Sequence, residues 1–120
     1  MFEFLPETEG RFVAVKAVGK MTDAAYKSFV PKLETIIAEH GPIRLMFDLT
    51  ESDGWTLKGA VDDMMLGLTH GKDFERIALV GDTAWEALAA RMANALMNCD
   101  VRHYPSIDRQ IAWDFIVDID

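Results

Sequence analysis

The residues able to carry chemistry are few in this chain. Nucleophilic or acid–base catalysis needs a reactive group and its partner within hydrogen-bond reach. His40, His70 and His103 fall at the ends of three different elements, and no motif joins them to a Ser or Cys. Gly-x-Ser-x-Gly, His-Glu-x-x-His and Gly-x-x-x-x-Gly-Lys-Ser are all absent. His40 and His70 instead read as cations in the last turn of a helix, where they complement its dipole. Cys99 is alone, which excludes a disulfide framework and a Cys-rich zinc site, and it reads as a small buried hydrophobe rather than a nucleophile. Asp48, Glu51, Asp53, Asp62 and Asp63 crowd into sixteen residues, yet they lack the alternate spacing and twelfth-position Glu of a calcium loop. They read as a solvated loop and helix face. The polar feature of most interest is Asp48-Leu49-Thr50, followed by Ser52 and Asp53. In the simplest reading, Thr50, Ser52 or Asp53 satisfies turn and helix-start amides.

The charge balance narrows the partners. Twelve Lys+Arg against 20 Asp+Glu give a net charge of −8 in 120 residues. Nucleic acid is therefore not an expected partner, because phosphate binding needs clustered cations and these are scattered. No segment reaches the roughly 20 apolar residues of a membrane span, and Glu3 stands where a signal peptide would carry a basic residue. The expected location is cytoplasmic, with a peripheral place at the membrane as its extension. The chain is long enough to bury a core without disulfides or metal, and one domain over residues 1–120 is expected.

The elements that must position these residues follow from hydrophobic periodicity. Phe2 to Leu5 and Arg11 to Val18 read as a hairpin around a Pro6 to Gly10 turn. Thr22 opens a helix in which Tyr26, Phe29, Val30, Leu33, Ile36 and Ile37 recur at three- and four-residue steps until His40-Gly41-Pro42, with a kink or restart expected near Ser28 because of Pro31. Ile43 to Leu49 has the continuous apolar pattern of a strand covered on both faces. A second helix carries Leu57, Val61, Met64, Met65 and Leu68 and ends near Gly71. Arg76 to Val80 is another buried strand, Gly81-Asp82-Thr83 a turn and helix cap, and Trp85, Leu88, Met92 and Leu96 mark a third helix. Val101 to Tyr104 is a short strand, and Pro105-Ser106 caps a final helix with Ile107, Ile111, Phe115 and Ile116. Strands alternating with four helices imply a mixed α/β sheet with right-handed parallel crossovers and an antiparallel N-terminal hairpin.

This order, with His40-Gly41-Pro42, Ile43 to Asp48, Gly54-Trp55, His70, Arg76-Ile77-Ala78-Leu79-Val80-Gly81-Asp82, Trp85 and Ala112-Trp113, resembles the SpoIIAA-like family of small bacterial proteins over nearly the whole chain. The resemblance implies a fold like that of STAS domains, also likened to the lipid-carrying CRAL-TRIO domains. It implies no assigned reaction, while no cofactor and no metal are expected because the ligand spacings and a Gly-rich phosphate loop are missing. Two functions follow by analogy. One is a non-enzymatic carrier or sensor of a small non-polar, lipid-like ligand, with peripheral membrane contact. The other is a STAS-type interaction module, in which a hydroxyl near Thr50 or Ser52 is a phosphorylation switch. Thr50 matches the STAS Asp-x-Ser/Thr pattern loosely, but Glu51 and Asp53 would repel a phosphate and no Arg is near in sequence.

For the first function the ligand-contacting face falls on the second and third helices. Trp55, Leu57, Val61, Met64, Met65 and Leu68, with Trp85, Leu88 and Met92, place two Trp and three of the seven Met on successive helices. Met repacks readily around variable apolar partners, whereas the same stripe in an ordinary domain is simply core. Gly54, Gly59 and Gly67 weaken the second helix locally, as an adjustable wall would need. A homodimer over that face is a further expected use.

Overall fold

The computed structural model of the protein describes residues 1–20, 22–52, 73–96 and 99–118. Its center is a five-stranded sheet in the sequential order β1 (Phe2–Phe4), β2 (Phe12–Gly19), β3 (Ile43–Ser52), β4 (Phe74–Val80) and β5 (Asp100–Tyr104). β1 pairs antiparallel with β2, and the remaining neighbours are parallel. This is the mixed α/β architecture that the alternation of elements predicts. Among the described residues three helices cover the sheet: α1 (Asp23–His40), α2 (Ala84–Leu96) and α3 (Arg109–Val117). The segment read as the Leu57 to Leu68 helix lies outside the described residues.

Strand alternation sorts the side chains onto two faces. Val13, Val15, Leu45, Phe47, Ile77 and Val101 pack with Phe29 and Leu33 of α1 and Ala90 of α2. On the other face Ala14, Met46, Ala78 and Val80 pack with Ala112 and Ile116 of α3. The register puts Ala14, Met46 and Ala78 side by side across three strands. The small residues flanking Met46 leave room for α3 to approach, and Ala112 and Ile116 are accordingly 0% exposed. The near-continuous apolar run from Ile43 to Leu49 thus has its cause: β3 is central and covered on both faces.

Helix ends follow their local chemistry. Thr22 caps α1, its side-chain oxygen accepting the Ala25 N–H at 3.2 Å. Gly41 closes the helix at φ 76°, where its N–H reaches the Ile37 carbonyl at 2.8 Å. The kink or restart expected near Ser28 is absent as a break, because α1 runs unbroken through Pro31. Pro31 is exposed, so water can take the carbonyl of Lys27 that it leaves without a donor.

The final helix requires a larger correction. Ser106–Asp108 form a single 3-10 turn, and the α-helix begins only at Arg109. Ser106 does not cap it with its side chain; its backbone N–H donates to Asp82 Oδ1 at 2.8 Å. Ile107 and Ile111, read as apolar positions of the final helix, are 88% and 54% exposed. The helix turns Ala112 and Ile116 to the sheet instead.

The far end of α3 is held by two arginines projecting from neighbouring strands. Arg44 Nη1 donates to the Ile116 carbonyl at 3.2 Å and to that of Asp118, while Arg76 Nη1 donates to the Phe115 carbonyl at 2.8 Å. These are carbonyls that a helix C-terminus leaves without intrahelical donors. Glu75 in turn engages Arg44 Nε at 3.1 Å and Arg11 Nη1 at 3.1 Å. Four arginines of this basic edge also lie over aromatic rings: Arg11 and Arg44 over Phe12, Arg76 and Arg102 over Phe115.

Candidate functional site

The Asp48-Leu49-Thr50 segment ends the central strand, at the edge where parallel α/β sheets commonly bind ligands. Asp48 is 5% exposed. Its Oδ1 accepts both the Thr50 N–H at 3.0 Å and the Thr50 hydroxyl at 2.6 Å. The acceptor that satisfies the amide here is thus Asp48 and not Thr50, whose hydroxyl is a donor and which lies within β3. The Ser52 hydroxyl likewise donates to the Leu49 carbonyl at 2.9 Å.

No Arg is near this segment in sequence, but the tertiary structure brings one to it. Arg109, the first residue of α3, brings Nε to 3.5 Å from Asp48 Oδ2 and Nη2 to 2.7 Å from Glu7 Oε2. Lys16, opposite Asp48 in the register, pairs with Glu51. Glu51 is the main reason that the Lys16 ammonium titrates above its ordinary range. Among the described residues each cation at this edge, Lys16 and Arg109, is already matched by a carboxylate. The cluster ties β2, β3, α3 and the β1–β2 turn together, and among the described residues it leaves no preformed anion hole.

The other polar candidates also resolve into structural roles. His103 Nε2 lies 2.7 Å from the Gly81 carbonyl, joining the ends of β4 and β5. His40 sits in the last turn of α1, 3.8 Å from Glu39. Burial, aided by the Asp100 charge, pushes the Cys99 thiol up to about 11, which suppresses the thiolate a nucleophile needs. Asp53, Asp62, Asp63 and His70 lie outside the described residues.

The apolar stripe divides in the same way. Trp55, Leu57, Val61, Met64, Met65 and Leu68 lie outside the described residues. Trp85 and Met92 belong to α2 with side chains outside the description, and Leu88 is 52% exposed.

A different apolar site is present at the opposite edge of the sheet. Between β1 and the first turns of α1 opens a cleft of about 340 Å³, lined by Met1, Phe2, Phe4, Ala25, Ser28, Phe29 and Lys32 with Thr22 at its rim. Phe2 stacks on Phe29 with ring centroids 4.5 Å apart, and Phe4 stands 5.6 Å from the same ring. Phe47 of the central strand closes the aromatic group behind them, its ring 5.7 Å from that of Phe2. The cleft exists because Phe2 and Phe4 alternate onto one face of an edge strand and α1 crosses above them. Its signal was present in the Phe2-Glu3-Phe4 alternation. The three-residue strand was too short for its face to be assigned without knowing which helix packs on it.

Comparison with known proteins agrees with this architecture. A family model described as SpoIIAA-like matches residues 12–117. The crystal structure of an uncharacterized protein with a SpoIIAA-like fold from Shewanella loihica PV-4 is 35% identical, with a TM-score of 0.73 over 96% of this chain and 93% of that one. No curated protein matches the chain.

Proposed function

The chain belongs to the SpoIIAA-like family, and from that premise we propose that it is a binding module, non-enzymatic, for a small non-polar molecule. The observation that carries this reading is the aromatic cleft between β1 and α1, with Phe2, Phe4 and Phe29 gathered around about 340 Å³ of space. That volume is at the small end of the range for ligand pockets, and an apolar lining with a few polar groups at the rim is their usual composition. Among the described residues no helix is long and apolar enough to cross a membrane. On this reading any membrane contact is peripheral and secondary to the ligand.

The alternative, a regulatory hydroxyl at Thr50 or Ser52, gains Arg109 as a neighbour. It is disfavoured by Asp48, whose carboxylate holds the Thr50 hydroxyl at 2.6 Å and would repel a phosphate attached there. Uptake of a neutral apolar fluorophore such as N-phenyl-1-naphthylamine tests the preferred reading. Emission should rise with the parent chain, and Ala25→Trp, which fills the cleft from its rim, should abolish the rise. Absence of uptake by the folded parent chain, or uptake unchanged in Ala25→Trp, overturns the assignment.

A further inference from the structure

We propose that the ligand of this cleft carries a carboxylate, and that it is a small aryl or medium-chain monocarboxylic acid held at its head by Lys32 and Ser28. The inference rests on the cleft being a site for small non-polar molecules and adds the charge of its occupant. Ser28 and Lys32 are four residues apart on α1 and therefore neighbours on one helix face. Both line the cleft and both are exposed. Neither side chain makes a hydrogen bond or ion pair with any described residue. The cations of the sheet edges differ: Arg11 and Arg44 share Glu75, Arg102 holds Asp100, and Arg109 holds Glu7.

The other polar groups around the cleft are committed. The Thr22 side-chain oxygen accepts from Ala25 N–H, and the Met1 ammonium donates to the Val18 and Lys20 carbonyls at 2.9 and 3.4 Å. Among the described residues no carboxylate lines the cleft. Among the described residues a cationic ligand would meet two ammonium groups and no lining carboxylate, whereas an anionic head would find an uncommitted ammonium and hydroxyl one helical turn apart. Below them the three phenyl rings offer only apolar contact. A monocarboxylate with one apolar body satisfies both halves, and the volume suits a single ring system or short chain rather than a two-chain lipid.

The test compares 2-naphthoate with its neutral analogue 2-naphthalenemethanol, titrated by fluorescence into the full chain and two variants. The parent should bind the acid about tenfold more tightly than the alcohol, the advantage of a charge-assisted contact at a partly open site. Lys32→Gln should erase that preference by weakening the acid more than the alcohol, and Lys32→Arg should retain it. Equal binding of acid and alcohol by the parent, or a preference that survives Lys32→Gln, overturns the carboxylate while the non-polar reading stands. Failure of both probes to bind the folded parent overturns the two together.

Discussion

The Glu86 carboxylate fills the volume that any side chain at Gly81 would require. A Cβ placed on Gly81 would lie 2.5 Å from Glu86 Oε1 and 2.7 Å from its Cγ. Glu86 cannot easily yield, because it is 5% exposed and its other oxygen accepts the Thr83 N–H at 3.2 Å as well as the Thr83 hydroxyl. Thr83 and Glu86 have the spacing of a capping box, and the Glu86 carboxylate makes its half of one by accepting the Thr83 N–H just before α2, so the crowded carboxylate also satisfies an amide at the helix start. Gly81→Ala should therefore destabilize the fold by about 1–3 kcal/mol in urea unfolding, the usual cost of overpacking. Glu86→Ala should cost about 1 kcal/mol through the lost cap. The double variant should be more stable than the sum of the two predicts, because removing Glu86 makes room for the methyl.

The sequence shows where β3 lies because a central strand must be apolar on both faces, and Ile43 to Leu49 is. It shows the start of α1 because Thr22 meets its amide within three residues. Local signals of this kind act over a turn of helix or a pair of strands. They do not report which of two apolar stripes on a short helix faces the sheet. Ile107 in the turn before α3 and Ile111 on it outweigh Ala112 in hydrophobicity, yet the small Ala112 is what lets the helix settle over the Ala14–Met46–Ala78 row. Nor do they report contacts across long separations. Arg109 reaches Asp48 and Arg44 reaches Ile116 only through the sheet, and the Phe2–Phe29 stack forms only once α1 crosses the edge strand.

The arginine hold on α3 makes a second prediction. Arg44→Met keeps most of the buried stem but removes every donor to the Ile116 carbonyl that comes from Arg44, and it leaves Glu75 with Arg11 alone. Leaving a buried carbonyl without a donor costs about 1–3 kcal/mol, so a loss of roughly 2 kcal/mol is expected in urea unfolding. Arg76→Met should cost less, about 1 kcal/mol, because its side chain is more exposed. A smaller effect for Arg44 than for Arg76 would contradict the ordering by burial.

Asp82 makes the acid limb of stability a third test. The Ser106 N–H donated to its carboxylate holds the Asp82 pKa below its ordinary 3.8. A group depressed in this way contributes stability that is complete above the unfolded value and lost as the pH falls through the folded one. Asp82→Asn should flatten part of the decline in urea midpoint on the acid side of pH 3.8 and leave the shape of the profile near neutrality unchanged. An unaltered acid limb in the variant would show that the Ser106 contact carries no linkage.

Cys99 supplies the opposite limb. Its thiol is raised from an ordinary 9.0 to about 11, first by burial and then by the Asp100 charge beside it. Two units correspond to roughly a hundredfold smaller thiolate fraction well below either value. Since the thiolate is the reacting species, iodoacetamide at about pH 8 should alkylate the folded chain about a hundredfold more slowly than a small-molecule thiol with an unperturbed pKa, and unfolding in urea should restore the ordinary rate. The same shift predicts a stability trend of definite sign. The unfolded thiol releases its proton first, so stability should fall as the pH rises through 9.0 and level off near 11, and Cys99→Ala should remove that decline. Alkylation of the folded chain at the free-thiol rate would contradict a half-buried Cys99 whose thiol is held above its ordinary range.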